Sequence, residues 1–173
     1  IRRPPRSTPK PSSAASDVYK RQELNSLSKS FNMAGWRVGM LCGATHHIQN
    51  VLKVKSNMDS GMFYGIQKGA IAALNVSKQW FDNLNAVYEK RRLLVWKLAS
   101  QLGCTYDKNS SGMFVWAKLP NSYNSEQFID DLLDQKHIFI TPGTIFGSNG
   151  AGFVRFSLCA DENVINEAII RTK

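Results

Sequence analysis

The sequence has no unbroken apolar stretch of the roughly 18 residues that a membrane-spanning helix requires. It has only three cysteines in 173 residues (Cys42, Cys104 and Cys159), widely spaced and with no CxxC pair. That argues against a zinc site or a disulfide framework and fits a reducing cytoplasm. Acidic residues are also scarce: 13 Asp and Glu face 22 Lys and Arg, a net charge of +9. Apolar residues make up 43%, which is ordinary for a chain with a buried core and excludes a collagen-like or wholly disordered protein. At face value the basic balance invites nucleic acid or an anionic membrane as a partner.

The charge is concentrated at one end. Residues 1–22 hold Arg2, Arg3, Arg6, Lys10, Lys20 and Arg21 against the single acid Asp17, a charge of +5, and the rest of the chain carries +4. Four of the six prolines (Pro4, Pro5, Pro9, Pro11) lie in the first eleven residues. Such a segment buries too little surface to offset its ordering entropy. It has no apolar region of the kind a signal peptide carries after its arginines. A basic arm for nucleic acid is the functional alternative, but no folded reader stands beside it. The favoured reading is a non-native or disordered tail of 22 residues, resembling translated linker sequence.

Beyond the tail, strand and helix patterns alternate, so the class is α/β or α+β. Glu23–Leu27 reads as a short strand entering a loop. Residues 37–43, RVGMLCG, read as a buried strand of a kind that expects parallel neighbours, which this chain does not supply. Thr45 is placed to cap a helix reaching about Asn57, and a second helix follows from Met62. The longest element spans about Ser77 to Leu102, where Trp80, Leu84, Val87, Arg91, Leu94, Val95, Leu98 and Leu102 recur at helical spacing. Gly103 stops it. Further strands are expected at 104–107, 113–119, 137–141 and 153–159. Ser125 and Asp161 are expected to cap the helices after them. Both ends of the chain read as cut. A domain boundary is placed after residue 76, dividing 23–76 from 77–173.

The stretch Ser26-Leu27-Ser28-Lys29-Ser30-Phe31-Asn32-Met33-Ala34-Gly35-Trp36-Arg37-Val38-Gly39 is where chemistry concentrates. A lysine at a strand-to-loop junction can project its amine into a cleft and attack an aldehyde to form a Schiff base. Hydroxyls with a nearby guanidinium suit a phosphate dianion, for which arginine offers planar paired donors. By these arguments alone, a solvated lysine and arginine beside a loop explain the same residues.

This segment resembles the lysine signature of the class I and II aminotransferases, the fold-type-I pyridoxal-phosphate enzymes. Every specified position of the pattern S-x-S-K-x-[FY]-x-[ML]-x-G-W-R-x-G is met. A second stretch, from Thr141-Pro142-Gly143-Thr144-Ile145-Phe146-Gly147 through Gly150 and Gly152 to Phe153-Val154-Arg155-Phe156-Ser157, resembles the family's C-terminal PGxxFG…xRxS block. The resemblance covers about residues 23–173, the second half of a family member. It implies a partial three-layer αβα major domain over 23–76 and a small α+β domain over 77–173. It implies pyridoxal 5'-phosphate as cofactor and transfer of an amino group from an amino acid to a 2-oxo acid in a cytoplasmic homodimer. Lys29 would join the cofactor and move the proton. Ser26, Arg37 and, more weakly, Ser28 would bind the phosphate. Arg155 would pair with the substrate carboxylate, its alternative being an edge residue in a salt bridge.

Other fold-type-I reactions use the same lysine, so a C–S lyase or an amino-acid synthase is a rival. A ligand-sensing domain of a regulator is another. Residues 57–64 correspond to a family segment near the dimer interface, or else form an ordinary loop and helix start. The pyridine-ring contacts of the family precede the lysine, so the chain is expected to be a fragment and nearly inactive alone.

The remaining residues draw plainer readings. Adjacent His46 and His47 point apart on a helix and do not read as metal ligands; no metal is expected. His137 reads as a surface or capping residue. Cys42, Cys104 and Cys159 read as inert core thiols, Trp116 as core, and Lys90-Arg91-Arg92 as a solvated helix face with Arg91 snorkelling. On this reading the +4 of the body points to a bound phosphate and carboxylate, with neither nucleic acid nor membrane as a partner.

Overall fold

The computed structural model describes residues 22–120 and 123–173. The reading of residues 1–22 as a tail therefore lies outside the described residues, Gln22 excepted. The chain divides into two compact units, one ending at Ser77 and one starting at Lys78.

In the first unit, strand β1 (Glu23–Ser26) leads into a one-turn helix α1 (Leu27–Ser30), and β2 (Gly39–Cys42) returns antiparallel to β1. Ser26 faces Gly39 in this ladder. A Cβ on Gly39 would lie 2.6 Å from the Asn25 carbonyl oxygen, so the close strand approach requires glycine there. The strand expected to be buried over 37–43 is corrected in length and burial: β2 is shorter and largely exposed, and among the described residues it pairs with β1 alone, antiparallel, with no parallel neighbour. With β1 alone beside it, an apolar run leaves side chains such as Met40 uncovered. Helix α2 (Thr45–Met58) starts one residue earlier than the Thr45 cap implied: Ala44 is the cap and offers no side-chain hydrogen bond. Helix α3 (Tyr64–Leu74) sets Ile66, Ala70 and Ala73 against a small core of Leu27, Met33 and Val38. A Cβ on Gly69 would lie 2.4 Å from the Trp36 ring, so glycine there admits the indole.

The second unit opens with the long helix α4 (Lys78–Gln101), stopped by Gly103 at φ +72°. A four-stranded antiparallel sheet follows in the order β3-β4-β6-β5, made of Thr105–Tyr106, Phe114–Lys118, Phe153–Ser157 and Thr141–Pro142. Helices α5 (Ser125–Lys136) and α6 (Glu162–Arg171) complete it. Strand alternation sends Val115, Ala117, Val154 and Phe156 to one face, where they pack with Val95, Leu98, Ile129 and Ile165. Burying a Val, Leu or Phe in this way stabilises by about 1.5–3 kcal/mol each.

Capping decides the helix starts. Asp161 caps α6 as its sequence position implied, accepting from the backbone N–H groups of Asn163 (3.0 Å) and Val164 (3.1 Å). For α5 the cap is Asn124 and not Ser125; its Oδ1 accepts from Glu126 N at 2.8 Å. The strand expected over 137–141 is reduced to Thr141–Pro142, because His137 adopts the left-handed conformation (φ 56°) as the C-cap of α5.

Two further expectations are corrected. Cys42 and Cys159 are exposed; Cys104 alone is buried, which pushes its thiol up to about 11. Lys90 is solvent-exposed as expected, but Arg91 and Arg92 are half-buried and not part of a solvated face. Lys90 pairs with Glu162, and Arg91 Nη1 donates to the Leu158 carbonyl at 3.2 Å. Arg92 donates through Nη1 to Ser110 O (2.7 Å) and through Nη2 to Gly112 O (2.6 Å), tying α4 to the turn before β4. Charge-assisted bonds to two turn carbonyls are worth more than a solvated cation. Arg92→Met is expected to lower unfolding stability by about 1–3 kcal/mol, read from the midpoint of urea denaturation.

Candidate active site

The first unit gathers Ser26, Ser28, Lys29 and Arg37 around one tight turn. Leu27 anchors it: its side chain is buried and its N–H donates to Val38 O at 3.2 Å, so the two ends of the loop close on each other. Ser26 is the N-cap of α1, its hydroxyl accepting from Ser28 N at 3.2 Å. Ser28 is buried and Lys29 is exposed on the same turn of helix. The sequence placed Lys29 where a strand meets a loop; the structure places it on α1, immediately beyond β1.

Arg37 comes back to this turn from eight residues further on. Its Nη1 lies 3.4 Å from Ser28 Oγ and 3.1 Å from the Ala34 carbonyl oxygen. Both Asn32 (φ 54°) and Arg37 (φ 49°) adopt the left-handed region. For a non-glycine residue that conformation costs about 1–2 kcal/mol, less for Asn, whose side chain tolerates it. Arg37 has no such tolerance, and strain of this kind collects at functional sites. The fold accepts it and thereby brings a guanidinium beside the Ser28 hydroxyl, on the turn that Ser26 caps.

Arg155 sits in the second unit, on β6, opposite Trp116 of β4 and Thr141 of β5. Its guanidinium carbon lies 4.2 Å from the Phe114 ring centroid and 4.3 Å from that of Phe146. Its Nε is buried without a hydrogen-bond partner. Among the described residues no carboxylate pairs with it, so the salt-bridge alternative is not what the strand provides. Arg155 also borders a cavity of about 730 Å³ whose walls are largely apolar, Ile138, Ile140, Val164 and Ala168 among them.

Trp116 does not enter the core. It is 38% exposed on the uncovered face of the sheet, stacked on Phe153 (5.5 Å, 15°) and edge-on to Phe146 (5.8 Å, 72°). The aromatic neighbours of Arg155 were missed from sequence, although a signal existed. Phe114 and Trp116 share one parity of β4, and pairing places that parity beside Arg155.

The turn that carries Phe146 is a 3-10 segment (Gly143–Phe146), followed by another (Ser148–Gly150). A Cβ on Gly150 would lie 1.9 Å from the Gly143 carbonyl oxygen, so the two segments meet backbone to backbone. Thr144 Oγ1 donates to Glu126 Oε1 at 2.6 Å, which holds the Glu126 carboxyl below its ordinary range. The tie is complete above the ordinary glutamate pKa and loosens as pH falls through the depressed value.

Among the described residues no three His, Cys, Asp or Glu side chains gather as a metal site, and no helix is long and apolar enough to cross a membrane.

Comparison with known proteins gives this geometry its class. The family model for aminotransferase class I and II matches residues 8–171, and the chain belongs to that family. An LL-diaminopimelate aminotransferase of Halothermothrix orenii is 40% identical over 151 residues, covering 87% of this chain and 39% of the relative. The solved structure of BacF from Bacillus subtilis has 38% identity and a TM-score of 0.78, covering 87% of this chain and 39% of that one. An aromatic aminotransferase from Pyrococcus horikoshii superposes with a TM-score of 0.81 at 26% identity, over 90% of this chain and 42% of that one. The chain thus spans about two-fifths of the length of the proteins it resembles. Its fold is the mixed α/β fold of fold-type-I aminotransferases: part of an αβα domain, then a C-terminal α+β unit.

Proposed function

We propose that this chain is the lysine- and arginine-bearing part of a pyridoxal-phosphate-dependent aminotransferase that moves an amino group from an amino acid to a 2-oxo acid. The observation that carries the reading is the turn that holds the Arg37 guanidinium, in a strained conformation, 3.4 Å from the buried Ser28 hydroxyl and within one helical turn of Lys29. Two hydroxyls and one guanidinium match the donor needs of a phosphate dianion. They fit the cofactor's phosphate, and Lys29 follows Ser28 on the same helical turn.

Each side chain then has a defined task. Ser26, Ser28 and Arg37 bind the phosphate, and Arg37 supplies the planar donors and the charge. Lys29 would hold the cofactor covalently, and its amine would move a proton at the substrate α-carbon as a positioned general acid and base. Arg155 pairs with the substrate carboxylate and fixes the orientation of the α-carbon; such fixation replaces a diffusive encounter with a near-attack geometry. Bound pyridoxal phosphate supplies the electron-withdrawing ring that makes the α-proton acidic. On this reading the phosphate-binding part of the major domain precedes the small domain, which the division into two units after Ser77 supports.

The full enzyme is assigned to the cytoplasm as a homodimer. Met62, Phe63 and Tyr64, exposed beside the turn at Gly61, fit a subunit contact better than a solvated surface. The test is a transamination assay of the full-length protein with a panel of amino acids and 2-oxo acids. LL-diaminopimelate belongs in the panel, because the Halothermothrix orenii relative is named for it. Turnover with at least one pair is expected. Elimination or decarboxylation products without amino transfer would overturn the assignment.

A further inference from the structure

The surroundings of Arg155 contain a device that its assigned role does not require. We infer that Phe114 and Phe146 are positioning residues, which hold the Arg155 guanidinium in the plane needed to receive a carboxylate end-on while leaving its charge intact. The inference rests on the carboxylate-binding reading of Arg155.

An arginine on a strand has several rotatable bonds and loses rotamer entropy when it binds. A carboxylate neighbour would orient it, but would also neutralise it and occupy the donors that the substrate needs. Aromatic faces orient a cation through their quadrupoles and take no hydrogen bond from it. Here the guanidinium carbon lies over both rings, at 4.2 Å and 4.3 Å, and no carboxylate competes among the described residues.

The rings are themselves held. Phe114 belongs to β4, in register with β6. Phe146 is fixed by Trp116 at its edge, by the Thr144–Glu126 hydrogen bond and by the backbone contact of Gly143 with Gly150. Phe146 nevertheless leaves half its surface exposed (50%), so it is not placed there for the core. Phe146 belongs to neither core cluster of the described residues, so its substitution leaves their packing in place.

The experiment uses the full-length holoenzyme with Phe146→Leu, Phe146→Tyr and Arg155→Lys. Phe146→Leu is expected to raise KM for both amino acid and 2-oxo acid by about 3- to 30-fold, the span of one cation–π contact, with kcat changed less. Phe146→Tyr keeps the ring and should restore KM. The discriminating readout is a primary amine without a carboxylate, for which the rate with Phe146→Leu should equal that of the parent enzyme. An equal loss with this amine, or an unchanged KM in Phe146→Leu, overturns the positioning role. If Arg155→Lys leaves KM for the carboxylate substrates unchanged, the reading of Arg155 itself is what fails.

Discussion

Lys29→Ala in the full-length enzyme is expected to abolish amino transfer, with kcat/KM falling by about ten-thousand-fold or more. A positioned general acid–base contributes roughly 10²–10⁴-fold by itself, and the substitution also removes the covalent hold on the cofactor. Lys29 is solvent-exposed on α1 and belongs to neither core cluster of the described residues, so the fold should survive its loss. Circular dichroism and melting temperature should therefore match the parent while single-turnover rates collapse. Loss of the fold, or retention of more than a tenth of the activity, contradicts the assignment.

The second large effect is expected at Arg155. Arg155→Ala removes the charge and the fork together, and kcat/KM for amino acids should fall by about 10²–10³-fold, the usual cost of truncating one partner of a desolvated ion pair. Arg155→Lys keeps the charge but loses the planar fork, so it should recover only part of the loss. Steady-state kinetics with the amino acid and with the 2-oxo acid provide the check. The two half-reactions should suffer alike, because both substrates present the same carboxylate. A loss confined to one of them would show that Arg155 reads the side chain of that substrate instead.

Much of this site could be read from the chain alone because local geometry fixes it. Ser26, Ser28 and Lys29 lie within one helical turn, and Arg37 is returned to them by a short loop whose glycine and tryptophan belong to the same pattern. Arg155 was legible because strand alternation set it between Val154 and Phe156, both of which are buried. The misses have non-local causes. Trp116 reads as core by type, and only its pairing with Arg155 shows that its parity faces outward. Phe146 meets Arg155 through a turn whose path depends on a backbone contact seven residues apart in sequence. Arg91 and Arg92 fit a solvated helix face by periodicity, yet they reach carbonyls 67 and 18 residues away. The strand at 39–42 shows the converse: an apolar run states that a segment can be buried, while the strands beside it decide whether it is.

The central claim is that Lys29 is the lysine that carries the cofactor, and one measurement addresses it directly. The full-length protein is incubated with pyridoxal phosphate, reduced with borohydride, digested and examined by mass spectrometry. A phosphopyridoxyl adduct confined to the peptide that contains Lys29, and absent from Lys29→Ala, is the predicted result. An adduct on a different lysine with Lys29 unmodified would contradict it.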